Sequence, residues 1–133
     1  MDPSEIEARV RAVYSAFASG DERTYRAGLA ESIVWHVPGD NPVSGAYGGQ
    51  AEYFEGMIGR MAPLDEWRVD VREVLTNQRD RAALVAFHVT GLRRGLSVDL
   101  DGFHMVRLDE EGRICEGWGF TRDQAALDAF FSV

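Results

Sequence analysis

The chain has 133 residues, of which 45% are hydrophobic and 27% are charged, so it is long and apolar enough to bury the core of one domain, 1–133. Fourteen basic against 22 acidic side chains leave a formal charge of -8, which argues against nucleic acid and membrane surfaces as partners. Without lysine and with a single cysteine, Cys115, the chain cannot perform Schiff-base catalysis or form an intrachain disulfide. No stretch of membrane-spanning length and no signal pattern is present, so we expect a cytoplasmic protein.

The first half of the chain predicts helices. Asp2, Pro3 and Glu5 form an N-terminal capping pattern, and an apolar stripe then runs at helical spacing to a stop at Gly20. The stripe consists of Ile6, Val10, Val13, Tyr14 and Phe17. The elements expected next are a short helix from Asp21 carrying Tyr25 and Leu29, a strand over 33–37, a loop over 38–49 and a helix over 50–61.

The chain after Pro63 predicts long antiparallel strands and one final helix that Thr121 caps and that ends in Phe130 and Phe131. The polar and apolar alternation slips at Glu73-Val74, which indicates a β-bulge. The turns at 93–95 and 110–112 are interpreted as three-residue hairpin loops. This register places one set of even-numbered residues on the interior face. They are Leu84, Ala86, His88, Thr90, Leu92, Leu96, Val98, Leu100, His104, Val106, Leu108, Ile114, Trp118 and Phe120.

Helices followed by long strands predict an α+β domain. The expected strands are longer than the usual five or six residues, and long bulged strands tend to curl. A curled sheet covered by helices would enclose a pocket for a small apolar ligand with one or two polar atoms.

Three histidines are the residues in this pattern that can move a proton near neutral pH. His36 lies beside the glycine-rich loop, whereas His88 and His104 fall on the predicted interior face. The alternative is that each is a core histidine that a backbone carbonyl satisfies. Their spacing lacks local metal-binding pairs, and no nucleotide-binding loop is present, so we expect neither a metal nor a cofactor. The rest of the predicted pocket lining comprises Tyr14, Phe17, Tyr53, Met57, Trp118 and Phe120.

Several segments together form a recognisable pattern. They are the turn ASGD between two helices, VWHVPGDNPVSG at 34–45, the glycine pair at 48–49, GRI at 112–114 and the ending over 118–131. This pattern resembles the nuclear transport factor 2-like superfamily and is most similar to its SnoaL-like group. The resemblance implies a cone-shaped, strongly curved antiparallel or mixed sheet of the cystatin-like type, with three N-terminal helices closing a deep pocket. The superfamily includes isomerases, cyclases, dehydratases, epoxide hydrolases and proteins without catalytic activity.

The resemblance also implies roles for two histidines. His36 falls where ketosteroid isomerases keep their general base, and His104 falls where they keep a hydrogen-bond donor to the oxyanion. In SnoaL-like polyketide cyclases a strand histidine resembles His104, and the acidic base falls near Trp118. We therefore expect a cofactor-independent acid/base enzyme of isomerase, cyclase or dehydratase type, acting on a small apolar carbonyl or polyketide-like substrate, with His88 in support. Epoxide opening, ligand binding without catalysis and a plain dimerisation module are the alternatives.

The odd-numbered face of the expected sheet predicts an interface. It carries Val85, Phe87, Val89, Phe103 and Met105, which are too apolar for a strand surface in water. The sequence therefore predicts a symmetric homodimer through this face, to which Trp35 and Trp67 contribute.

Overall fold

The computed structural model describes residues 1–132, in which helices cover one face of a six-stranded sheet. The helical elements are α1 (Pro3–Ser19), α2 (Glu22–Ala27), a π-helical segment (Glu52–Met57), α3 (Ile58–Met61) and α4 (Gln124–Phe131). The strands are β1 (Leu29–Val37), β2 (Gly45–Gly48), β3 (Glu66–Asn77), β4 (Ala82–Arg93), β5 (Leu96–Leu108) and β6 (Ile114–Thr121). Within residues 1–132 no helix is both long and apolar enough to cross a membrane.

The first helix begins and ends as its capping pattern predicts. The Asp2 side chain accepts a hydrogen bond from the backbone N–H of Glu5 at 2.9 Å, and Gly20 ends the helix in the left-handed conformation. The second helix ends earlier than expected: Leu29 is the first residue of β1, where it pairs with Ile114 of β6. The expected helix over 50–61 forms, with a π-helical first part.

The segment 38–49 contains a strand that the sequence did not predict. Gly45–Gly48 forms β2 and pairs antiparallel with β1, so that Trp35 lies opposite Tyr47. Glycines lower strand propensity, but an edge strand gains its hydrogen bonds from the neighbour it joins. Tyr47 is buried and anchors this edge.

The sheet is mixed, curved and open. Its strand order is β2-β1-β6-β5-β4-β3, and only β1 and β6 run parallel. One bulge interrupts β3 between Val71 and Glu73, close to the predicted position, and a second places Cys115 of β6 outside the pairing with β5. The α+β architecture of the sequence analysis is therefore confirmed.

The predicted register of β4 against β5 is wrong by one residue. Arg93 pairs with Leu96, so the loop has two residues, Arg94 and Gly95, both with positive φ (51° and 79°). Two left-handed residues in a row are typical of the type I′ turn, whose twist matches that of a hairpin. Because side chains alternate along a strand, a shift of one residue turns every side chain of β4 to the other face.

This shift exchanges the two faces of β4. Val85, Phe87 and Val89 belong to the interior and are 0%, 8% and 3% exposed, although the sequence placed them in an outer interface. His88 lies on the outer face, where it contacts exposed Asp99 and Asp101. Leu84, Ala86, Thr90 and Leu92 lie on that outer face as well.

The bulge at Cys115 likewise turns the β6 side chains that follow it to the face opposite the predicted one. Leu108 pairs with Ile114 as predicted, but beyond the bulge His104 lies opposite Gly119. Trp118 therefore shares the outer face with Met105. On β1, Trp35 points inward and is 8% exposed, and Trp67 of β3 also points inward, where it lines the cavity and packs on Phe130. Neither tryptophan therefore contributes to an outer interface, contrary to the prediction from the sequence.

Candidate active site

A cavity of about 260 Å³ lies between the inner face of the sheet and the helices. Its lining comes from all four α-helices, the π-helical segment and five of the six strands, and it consists almost wholly of aliphatic and aromatic side chains. No Asp, Glu or Arg lines the cavity among residues 1–132. Such a cavity suits a neutral, largely apolar small molecule.

A hydrogen-bonded pair, Tyr14 and His104, supplies one polar point of this cavity. Tyr14 comes from the buried stripe of α1 and His104 from the inner face of β5, and the Tyr14 hydroxyl lies 2.6 Å from Nδ1 of His104. The aromatic rings of Phe87 and Trp35 enclose the imidazole, with ring centroids at 4.5 Å and 4.9 Å. The pair is therefore held rigidly in apolar surroundings.

Burial fixes the protonation state of both partners. It lowers the pKa of His104 to about 3, so the imidazole is neutral at neutral pH. Burial raises the pKa of the Tyr14 hydroxyl, with a smaller contribution from Tyr25, so this hydroxyl keeps its proton. A phenol O–H is a stronger hydrogen-bond donor than an imidazole N–H, and an imidazole nitrogen is a stronger acceptor than a phenol oxygen. We therefore assign the Tyr14 hydroxyl as the donor to Nδ1, which places the imidazole proton on Nε2.

The Nε2–H group of His104 is a free donor in the cavity. Every fully buried side-chain nitrogen or oxygen in residues 1–132 has a hydrogen-bond partner, whereas Nε2 has none. This atom is therefore accessible from the cavity that the imidazole lines. A ligand oxygen that enters the cavity can accept a hydrogen bond from it, and Tyr14 orients the ring for this contact.

A second polar pair, Tyr25 and Tyr53, also lines the cavity. The two hydroxyls are hydrogen-bonded to each other and are surrounded by the rings of Phe54 and Trp35. Burial raises the pKa of both hydroxyls, so both remain protonated. Among residues 1–132, the cavity lining thus holds these two hydrogen-bonded pairs and no side chain that is charged at neutral pH.

Five of the predicted site residues line the cavity as expected from the sequence, namely His104, Tyr14, Phe17, Tyr53 and Met57. Phe120 borders the cavity, but it is 45% exposed and stacks on Phe103 at 4.8 Å on the outer face, so its predicted interior position is wrong. Three predicted residues, His36, His88 and Trp118, lie outside the cavity.

The structure does not bring His36 and His104 together. His36 lies on the outer face, where its Nε2 is 2.8 Å from Oε2 of Glu116 and its ring stacks on Trp118 at 5.2 Å. The preceding residue, Trp35, is the one that contacts His104, because successive side chains of a strand point to opposite faces. The expectation that Trp118 lies across from His104 is corrected in the same way, since Gly119 occupies that position.

His88 forms a separate charged cluster on the outer face. Its Nδ1 lies 2.8 Å from Oδ1 of Asp101, and its Nε2 contacts the carboxylate of Asp99. The hydrogen bonds to Asp101 and Asp99 raise the pKa of His88 and favour the imidazolium. No group of His, Cys, Asp or Glu side chains in the described part of the chain is arranged to hold a metal ion.

The cavity is also lined by three residues that were not predicted there, Trp35, Tyr25 and Phe87. A signal for Phe87 was present in the composition of β4. Its odd-numbered positions carry Val85, Phe87 and Val89, which are more apolar than the even-numbered residues between them. Recognising that the β4–β5 turn has two residues would also have placed Phe87 on the inner face.

A SnoaL-like domain model matches residues 10–117, which include the second half of α1 and most of the sheet. The chain belongs to the SnoaL-like domain family. No curated protein matches it.

Solved structures show the same fold. A nuclear transport factor 2-like protein of Burkholderia pseudomallei is 21% identical, with a TM-score of 0.83 over 100% of both chains. TerC, co-crystallised with polyporic acid, is 19% identical, with a TM-score of 0.81 over 96% of this chain and 98% of TerC. A candidate polyketide cyclase of Xanthomonas campestris pv. campestris is 22% identical, with a TM-score of 0.71 over 97% of this chain and 98% of its own.

Proposed function

We propose that this SnoaL-like protein binds a small, neutral, mostly apolar carbonyl compound in its cavity and promotes proton transfer on it, without a cofactor. The observation that carries the proposal is the buried Tyr14–His104 pair, which aims a neutral Nε2–H donor into an apolar cavity. A donor held in place before the substrate arrives stabilises charge that develops on a carbonyl oxygen, and low polarity around it strengthens this effect.

His104 acts here as a hydrogen-bond donor, and the pairing with Tyr14 supports this role. When a carbon next to the carbonyl loses its proton, the electron pair moves onto the carbonyl oxygen, where Nε2–H stabilises the enolate. The enolate then regains a proton on another carbon, which is isomerisation, or attacks a second carbonyl, which is cyclisation. Because the pKa of His104 is about 3, the imidazole is neutral at neutral pH. The N–H group of a neutral imidazole is a very weak acid, so Nε2 donates a hydrogen bond without giving up its proton.

The base that removes the proton from carbon is not the one that was expected from the sequence. His36, the expected base, lies on the outer face beside Glu116, and no carboxylate lines the described cavity. Carbon acids flanked by two carbonyls, or by a carbonyl and an aromatic ring, are acidic enough to lose a proton to water. A polyketide-like substrate of this kind fits the cavity chemistry, and the similarity to TerC and to a candidate polyketide cyclase supports this choice.

Binding without catalysis is the second candidate. The absence of a carboxylate or charged side chain from the described lining favours it, since nothing there removes a proton from carbon. The same observation weighs against epoxide hydrolysis, for which no group in that lining activates a water.

The test uses 2-tetralone, a two-ring ketone, as the probe. Its hydrogens next to the carbonyl exchange in D₂O, and NMR measures that rate with and without protein. We expect the wild-type protein to accelerate the exchange and His104→Leu to lose about 10- to 150-fold of the acceleration, the equivalent of a hydrogen bond to developing charge. His36→Leu is the matched control and should leave the rate unchanged, because His36 does not line the cavity.

Two outcomes decide between the candidates. Saturable 2-tetralone binding without faster exchange would reject proton transfer and leave ligand binding as the function. Neither binding nor exchange would reject both. A rate that falls with His36→Leu and not with His104→Leu would overturn the assignment of the donor.

A further inference from the structure

The hydroxyl pair of Tyr25 and Tyr53 has one O–H hydrogen that does not take part in the hydrogen bond between them. Each tyrosine hydroxyl carries a single hydrogen, and the two groups bond to each other, so one hydroxyl donates and the other accepts. The hydrogen of the accepting hydroxyl has no acceptor elsewhere among residues 1–132. Tyr53 is only 5% exposed, so water is not a ready substitute.

The two polar pairs border the same part of the cavity. The Trp35 indole contacts the His104 ring at 4.9 Å and the Tyr53 ring at 6.0 Å between centroids. Electrostatic influence also links the pairs, because an ionised Tyr25 would oppose the ionisation of Tyr14. A single ligand lying along the indole can therefore reach both pairs.

We propose that Tyr25 and Tyr53 form a second ligand subsite that donates one hydrogen bond, so that the cavity takes a neutral compound with two acceptor oxygens, such as a cyclic diketone or quinone. This inference rests on the proposed function, in which His104 holds the first oxygen. It adds the second oxygen and the requirement that the ligand brings acceptors rather than donors.

The donor hydrogens that have no partner in the cavity favour a ligand that carries hydrogen-bond acceptors. Nε2–H of His104 and one tyrosine O–H each have no partner, and a buried hydrogen left without an acceptor costs more than an unused lone pair. A diketone satisfies both hydrogens and introduces none of its own. An anion is disfavoured, because no charged side chain among the described lining residues compensates for its loss of hydration.

The cavity volume sets the size of this ligand. A cavity of about 150 Å³ holds benzene, so a cavity of about 260 Å³ suits two fused rings with small substituents. The faces of Trp35 and Phe87 provide flat surfaces for a planar ring system.

The first experiment ranks three two-ring probes on the wild-type protein by isothermal titration calorimetry. They are 2,3-dimethylnaphthalene with no oxygen, 2-tetralone with one and 2,3-dimethyl-1,4-naphthoquinone with two. Both ring positions of the quinone carry methyl groups, which prevents addition of Cys115. We expect affinity to rise with the number of oxygens, by about fivefold for the second one. A quinone that binds no better than 2-tetralone would overturn the proposal.

The second experiment removes the subsite. The double variant Tyr25→Phe/Tyr53→Phe deletes both hydroxyls and leaves neither one unsatisfied, so the fold is expected to persist. It should weaken quinone binding about fivefold and leave 2-tetralone binding unchanged. Each single variant keeps one hydroxyl that can donate to the ligand, so it should change quinone affinity less than about twofold. Unchanged quinone affinity in the double variant would assign the pair a purely structural role.

The result for His104→Leu separates this inference from the proposed function. If this variant weakens 2-tetralone and the quinone alike, the first oxygen is held as proposed, and the tyrosine variants alone decide the second subsite. If it weakens neither, the proposed function fails, and the inference that depends on it is rejected with it, whatever the tyrosine variants show.

Discussion

The indole of Trp35 lies directly over Gly117, its register partner on the neighbouring strand β6. A Cβ atom at position 117 would lie 2.1 Å from Cζ3 of Trp35, a distance that no real contact reaches. The missing side chain lets the indole lie flat on the floor of the sheet, where it contacts His104 and Tyr53. One glycine thus shapes the part of the cavity that both polar pairs border.

Gly117→Ala should therefore destabilise the protein and disturb the cavity together. We expect a loss of about 1–3 kcal/mol in the free energy of unfolding, as for other overpacked cores, and weaker binding of 2-tetralone. Urea denaturation and calorimetry measure the two effects. Gly59→Ala is the control: a Cβ there meets nothing within 4 Å, and alanine favours the helix, so this variant should be as stable as wild type or slightly more so. Equal stability of the two variants would contradict the packing argument.

Removing one partner of the Tyr14–His104 pair should cost more than removing both. His104→Leu leaves the Tyr14 hydroxyl buried without an acceptor, which costs about 1–3 kcal/mol of unfolding free energy. The double variant Tyr14→Phe/His104→Leu has no orphaned hydroxyl and should recover most of this loss. Urea denaturation of the four proteins of this cycle measures the coupling. Strictly additive effects would show that the hydrogen bond contributes nothing.

The depressed pKa of His104 makes stability depend on pH. Between about 3, its pKa in the folded protein, and 6.5, its ordinary value, the unfolded chain binds a proton at this position that the folded chain does not. Stability should thus fall as the pH falls from 6.5, with a slope of up to about 1.4 kcal/mol per pH unit. Urea denaturation of wild type and His104→Leu between pH 5 and 7 isolates the contribution, because carboxylates titrate mainly below this range. Parallel curves would contradict the shift.

Local patterns in the sequence predicted where the helices and strands lie better than they predicted which face of the sheet each side chain is on. The capping residues around Asp2 and the stop at Gly20 act within one turn of a helix, so they set α1 independently of the rest of the fold. The face of each β4 side chain instead depends on whether the turn has two or three residues, which Arg94 and Gly95 decide through their backbone angles. A single residue of error there placed His88 inside and Phe87 outside.

The site was only partly predictable for a related reason. His104 and Tyr14 were recognised as pocket residues, but their hydrogen bond joins residues 90 positions apart and has no local signature. The resemblance assigned His36 a catalytic position, yet the strand alternation that puts Trp35 over Gly117 turns His36 to the opposite face. Which side chain enters a cavity is settled by packing across strands, which a single sequence does not report.

The charged cluster at His88 should affect stability in the opposite sense to His104. Hydrogen bonds to Asp101 and Asp99 raise its pKa above 6.5, so its stabilising contribution is complete below about pH 6.5 and is lost as the pH rises through the raised value. We expect the difference in unfolding free energy between wild type and His88→Gln to shrink from pH 6 to pH 9. A difference that stays constant over this range would show that His88 is not held as an imidazolium.

In the observed register, the outer face of the sheet still carries a contiguous band of apolar side chains. Leu75, Leu84, Met105 and Trp118 lie side by side on four neighbouring strands. Phe103 and Phe120 stack next to them and are 36% and 45% exposed. Apolar side chains this contiguous are unusual on a surface that faces water. The band replaces Val85, Phe87 and Val89, which the sequence analysis had placed in the interface.

We expect this outer apolar band to join two copies of the chain in a symmetric dimer, because a two-fold axis across it would bury the same residues on both sides. Sedimentation at micromolar concentration should give a species of twice 14.8 kDa. Met105→Glu places a charge at the centre of the band and should shift the protein to the monomer, since burying an unpaired carboxylate is costly. Leu96→Glu is the matched control: Leu96 is 43% exposed but lies at the β4–β5 turn, away from the band, so this variant should remain dimeric. A monomeric wild-type protein, or a dimer that Met105→Glu leaves intact, would rule out this interface.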